Sequence, residues 1–235
     1  MDNFCDKKPI DGKITLECPA DDSMVIATPF AEKKTAFYYN QKINCMPATG
    51  SVSFGDKTYE FPEGKSFGTL DWGRGVWTYK NTWYWGSASG LAHDGKRLGW
   101  NIGYGFGDTS AASENMIFYD GKAHKLSHVS FGIPMKHKIY VTHGGCCGSS
   151  SGRCAETMDL IEDYMSPWTF TSDGGRFEMD FVPIIDRAAL TDAKLVSSDQ
   201  HQVFGKFTGK VILDDGTVIE VKDFLGFAEK VTNKW

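Results

Sequence analysis

The chain has 235 residues, 41% hydrophobic and 23% charged, and its 25 Lys and Arg against 30 Asp and Glu leave a net charge of −5. That balance belongs to a folded globular protein and excludes a disordered one. No apolar run approaches the roughly 20 residues that cross a bilayer, so no transmembrane segment is expected. No Lys/Arg cluster of the kind a duplex requires is present, so nucleic acid is not an expected partner.

The 26 glycines and the 14% of aromatic residues favour turns and pleated, half-buried strands, which predicts an all-β chain. The N-terminus, Met1 to Lys8, lacks the basic-then-apolar order of a secretory signal. A cytoplasmic location with reduced thiols is therefore expected for Cys5, Cys18, Cys45, Cys146, Cys147 and Cys154. The first strand signal is Phe37-Tyr38-Tyr39, followed by a turn at Gly55-Asp56. Thr82-Trp83-Tyr84-Trp85 is the next, with Trp83 and Trp85 on one face and Tyr84 on the other. Turns at Asp94-Gly95 and Asp120-Gly121 bracket Asn115 to Tyr119. Residues 137–156 are rich in Gly, Ser and Cys and read as a surface insertion or a domain boundary. The cysteines there lack the paired C-x-x-C spacing of a zinc site, and no metal is expected.

A short helix is predicted over Ala155 to Tyr164. Beyond the Asp173-Gly174-Gly175 turn, Phe177, Met179 and Phe181 alternate with Arg176, Glu178 and Asp180, and Asp186-Arg187 read as a local ion pair. Val203, Gly205, Phe207, Gly209, Val211 and Leu213 share the face of a strand that turns at Asp214-Asp215-Gly216. On the return strand Ile219, Val221 and Leu225 are predicted to face together. Turns this frequent suggest antiparallel sheets closed into a barrel or stacked.

Five of the seven tryptophans lie between Trp72 and Trp100, with Asp71, Arg74 and Glu114 close by in sequence. Rings on one wall with a few charged groups make a concave site for an apolar or ring-shaped ligand. The alternative is a solid core with Arg74 stacked on an indole and paired with Asp71. Gly103-Tyr104-Gly105-Phe106-Gly107 lacks the third glycine at the required spacing and the helix of a phosphate-binding loop, so a nucleotide is rejected. Its glycines are expected to permit close strand crossing. Neither a serine nucleophile nor a His-based metal centre is expected. Carboxyls at Asp71 and Glu114 in aromatic surroundings suit proton transfer, and His201 is a further acid–base candidate.

Several blocks together resemble the family called domain of unknown function 2804. They are Phe37 to Lys42, Asp71 to Trp77, Asn101 to Asp108, Glu114-Asn115, Pro167 to Phe170, Arg176 to Phe181, Asp199 to Gly205 and Gly226 to Trp235. The resemblance covers nearly the whole chain but carries no established activity. More remotely the chain is similar to the carotenoid-hydratase-like and AttH-like proteins. That likeness implies lipocalin-like barrels and cofactor-free chemistry on apolar substrates. The family resemblance also implies a further N-terminal segment, without which a first barrel is expected to be incomplete.

The expected fold is an antiparallel calycin- or lipocalin-like barrel with part of a second β-sheet or barrel packed against it. Residues 1–65 form the β-rich N-terminal part and 66–235 the main barrel. Trp72, Trp77, Trp83, Trp85, Asn101, Tyr104, Trp168 and Gln202 are expected to hold an apolar or ring-containing small molecule. If chemistry follows, it is hydration, isomerisation or cyclisation without a cofactor. Asp71 or Glu114 then serves as acid and His201 as a second proton-transfer group. Arg74, with Asn101, stabilises negative charge. A non-catalytic lipocalin-type carrier or sensor and a carbohydrate-binding or glycan-processing β-protein are the rival readings.

Overall fold

A computed structural model of the protein describes residues 9–142, 155–193 and 195–235. Every regular element among them is a β-strand. The first five strands form one antiparallel sheet: β1 (Ile10–Leu16), β2 (Met24–Pro29), β3 (Phe37–Phe54), β4 (Lys57–Phe61) and β5 (Phe67–Val76). The 18-residue β3 is its spine, pairing with β2 and β5 along its first half and with β1 and β4 along its second. A register shift between Ile43 and Met46 bends it, and Cys45 there has φ +59°. A bulge of this kind turns a strand and re-aims its side chains.

The second sheet has nine strands. Its members are β6 (Lys80–Leu91), β7 (Arg97–Tyr104), β8 (Met116–Tyr119), β9 (Lys122–Lys125) and β10 (Val129–Gly132). After a separate hairpin of β11 (Met135–Thr142) and β12 (Ala155–Glu162), the sheet continues. Its remaining strands are β13 (Trp168–Ser172), β14 (Phe177–Asp192), β15 (Ser197–Ile212) and β16 (Val218–Lys234). The spatial order is β10-β13-β14-β15-β16-β6-β7-β8-β9, all antiparallel, and the sheet curls into a half-barrel that brings β10 near β7.

The concave face of this sheet is the main core. Trp100, Trp168, Phe170, Phe177, Phe181 and Phe207 are each at most 1% exposed. Their rings interlock, Trp100 with Phe207 at 5.2 Å and Phe181 with Phe207 at 4.5 Å between centroids. The curl is therefore filled with side chains. The alternation read over Arg176 to Phe181 and over Val203 to Leu213 holds, with Phe177, Met179, Phe181, Val203, Phe207, Val211 and Leu213 all buried.

Three sequence expectations need correcting. Residues 155–162 are strand β12 instead of a helix, paired with β11 in the register Ile139 to Met158. A segment this short is marginal as an isolated helix, whereas a neighbouring strand satisfies its backbone directly. Leu225 faces outward at 62% exposure while Phe224 packs on the core, because β16 gains a residue around Asp223 (φ +51°). One extra residue reverses the alternation beyond it. Asp186 does not pair with Arg187; its carboxylate meets His201. Of the cysteines, Cys18 and Cys45 are free thiols, and Cys5, Cys146, Cys147 and Cys154 lie outside the described residues.

Candidate functional site

The nine-stranded sheet has a second buried face. On β6, Tyr84 points into the half-barrel against Phe131, while Trp83, Trp85 and Ser87 point the other way. On β16, Ala228 belongs to the core, while Phe227 and Glu229 join Trp83 and Trp85 on the convex side. The first sheet covers this side with an inverted strand: Asn40, Lys42 and Asn44 of β3 are buried, and Phe37 and Tyr39 are exposed. A polar strand face is buried here because it meets polar partners. Asn44 Nδ2 donates to Ser87 Oγ (2.9 Å) and to the Trp100 carbonyl (3.0 Å).

A cavity of about 230 Å³ remains between the sheets. Tyr38, Trp77, Trp83, Trp85, Phe106 and Trp235 wall it, with Asn40, Lys42, Asp71, Glu114 and Glu229 as its polar groups. Phe106 is the hub of the aromatic wall, its centroid 4.9 Å from Tyr38, 5.4 Å from Trp83 and 5.8 Å from Trp77 in edge-to-face geometry. Such arrangements fix ring orientation beyond what area burial alone achieves.

Its electrostatics centre on Lys42. The side chain is 4% exposed, and its ammonium lies 2.6 Å from Asp71 Oδ1 and 3.8 Å from the Trp85 ring centroid. A buried ammonium is tolerated only with such compensation. Glu229, 4% exposed, accepts hydrogen bonds from Trp83 Nε1 (2.9 Å) and Gln202 Nε2 (2.9 Å). Burial pushes its carboxyl above the ordinary carboxylate range despite these donors. Burial, with Asp71 and Glu114 nearby, likewise raises the Tyr38 hydroxyl. Asn101 donates to Glu114 Oε2 (3.0 Å) and accepts from Trp85 Nε1 (2.7 Å), linking carboxylate to indole. Gly103 makes room for that carboxylate, since a Cβ there would lie 2.8 Å from Glu114 Oε1. Asn40 Oδ1 is buried at the cavity with no hydrogen-bond partner.

Of the residues singled out in the sequence, Asp71, Glu114, Trp77, Trp83 and Trp85 meet at this cavity. Asn101 stands behind it and Gln202 reaches it through Glu229. Trp72 and Arg74 fall on the outer face of β5, where Trp72 is 45% exposed and packs edge-on to Tyr39. The Asp71 partner is Lys42 in place of Arg74. Tyr104 and Trp168 lie on the concave side: Tyr104 stacks on Tyr84 at 4.6 Å, and Trp168 is fully buried with Nε1 donating to the Tyr164 carbonyl. Tyr38, Asn40, Lys42, Phe106, Glu229 and Trp235 escape a reading by composition. Asn40, Lys42 and Glu229 sit at alternating polar positions that look like a solvated strand face.

His201 belongs to a separate cluster on the concave side, where a cleft of about 400 Å³ is lined by Lys136, Glu162, Tyr164, Asp186, Asp199 and His201. Its Nδ1 is 2.6 Å from Asp186 Oδ2, and its ring stacks on Tyr164 at 3.8 Å. Tyr164 donates to Glu162 Oε2 (2.5 Å), which also accepts from Lys230 (2.7 Å). Burial and the Glu162 carboxylate raise the Tyr164 hydroxyl. The sheet thus lies between His201 and the indole-walled cavity.

No helix among the described residues is long and apolar enough to cross a membrane. No curated protein and no solved structure matches the chain, and the remoter likeness to the carotenoid-hydratase-like and AttH-like proteins finds no counterpart there. The family model for the domain of unknown function DUF2804 matches residues 1–235, so the chain belongs to that family.

Proposed function

We propose that the cavity between the two sheets binds a compact, ring-bearing small molecule. The observation that carries this reading is an indole- and phenyl-walled space of about 230 Å³ with a few polar side chains at its lining. An apolar cavity of roughly 150 Å³ already accommodates benzene, so a mono- or bicyclic ligand matches the size. Few polar groups among mostly apolar walls are the usual composition of a small-molecule site.

Tryptophan fluorescence on the full chain tests this reading, with Trp77, Trp83 and Trp85 as built-in reporters. At least one neutral mono- or bicyclic ring compound is expected to quench saturably. Phe106→Trp, which fills the space, should weaken that binding at least tenfold. A complete absence of saturable quenching, together with no retained small molecule in native mass spectrometry, rejects the proposal.

Cofactor-free proton chemistry is the second reading, and the Lys42–Asp71 pair at 2.6 Å favours it. Asp71 or Glu114 acts as the proton-transfer group, and the Lys42 ammonium takes the place of Arg74 in stabilising negative charge that develops on the substrate. His201 has no part in it. Native mass spectrometry separates catalysis from carriage: a ligand returned chemically unaltered marks a carrier, and slow conversion marks an enzyme.

A further inference from the structure

We infer that the ligand of the inter-sheet cavity is an organic cation, an amine or quaternary ammonium attached to a compact ring. This rests on the reading of the cavity as a ring-binding site and adds the charge of its occupant.

Two observations point the same way. The first is charge: the cavity lining carries one ammonium, Lys42, against the carboxyls of Asp71, Glu114 and Glu229, and burial disfavours the charged form of Glu229. Lys42 is already matched by Asp71 at 2.6 Å, which leaves the Glu114 carboxylate in excess beside the rings. An anionic ligand would meet that excess at close range in a partly desolvated space, where like-charge repulsion is strongest.

The second is the rings themselves. Lys42 Nζ lies 3.8 Å above the Trp85 ring, so one aromatic face of the cavity already holds an ammonium by cation–π attraction. Trp77, Trp83 and Phe106 extend the same wall. Aromatic walls combined with carboxylates are the general means of recognising quaternary ammonium and amine groups.

The test is calorimetric titration of the full chain with four probes that share a phenyl ring: benzylamine and benzyltrimethylammonium as cations, benzyl alcohol as the neutral isostere, and benzoate as the anion. At least one cation is expected to bind tenfold or more tighter than benzyl alcohol, and benzoate more weakly than either cation. Glu114→Gln keeps an oxygen for Asn101 and should weaken the cation at least fivefold more than it weakens benzyl alcohol. If that variant fails to fold, Trp77→Leu serves in its place, with loss of cation binding expected. Benzyl alcohol binding as tightly as the cations overturns the inference and leaves the ring site standing. Cation affinity unchanged in the variant also overturns it. Failure of every phenyl probe to bind removes both readings together.

Discussion

Lys42 and Glu229 are two buried ionisable groups on facing walls of one cavity, and they are compensated differently. Lys42 meets a carboxylate and an indole face. Glu229 has only neutral donors, Trp83 and Gln202, so burial dominates and its carboxyl titrates above the ordinary value of 4.5. A carboxyl whose folded pKa is raised favours folding most where it is protonated in both states, and that contribution is lost as pH climbs through the folded value. Urea unfolding of the protein and of Glu229→Gln between pH 4 and pH 8 should therefore differ in slope. Relative to the variant, the native protein is expected to lose stability as pH rises above 4.5; parallel curves would refute this. At this scale the sequence showed part of the site. Clustered tryptophans with Asp71 and Glu114 nearby pointed to the cavity, because large rings and carboxylates in one stretch are conspicuous. Asn40 and Lys42 were not legible, because alternating polar residues on a strand are the ordinary mark of a solvated face. Only a second sheet laid over that face turns them into lining.

At the scale of elements, period-two alternation was a reliable guide wherever the ladder is regular, as between Phe177 to Val182 of β14 and Lys206 to Val211 of β15. It failed where a bulge intervenes. Asp223 sits at φ +51° and its N–H donates to Thr208 Oγ1, so the extra residue is held in the left-handed region. Aspartate tolerates that conformation and a β-branched residue does not. Asp223→Val is expected to destabilise the protein by about 1–2 kcal/mol, and Asp223→Gly to be near neutral, in chemical denaturation. Equal stability of the two variants would mean that the bulge does not depend on this backbone. β12 shows the other way an element escapes the sequence: its eight residues carry no decisive period, and pairing with β11 settles their conformation.

Among the described residues the two large sheets are joined back to face, beside the separate β11–β12 hairpin, and Asn44 is one of the pins. From the β3 bulge its amide donates to Ser87, Ala88 and Trp100, reaching two strands of the other sheet. Asn44→Ala leaves those acceptors buried and unpaired, so a loss of about 1–3 kcal/mol is expected. Because the same contact holds the first sheet against the convex face, affinity for ring ligands should fall with it. Unaltered affinity in a folded variant would show that the cavity does not depend on this pin.

Composition and alternation alone determined that the chain is all-β and antiparallel, and that large rings and carboxylates gather near its middle. Those properties depend on neighbours in sequence. Which face each ring occupies was decided by tertiary structure: Trp83 and Trp85 line the cavity, Trp72 stands outside, and Trp168 and His201 lie across the sheet. A strand has two faces, and its sequence does not record what covers either one; the packing of one sheet on another makes that assignment.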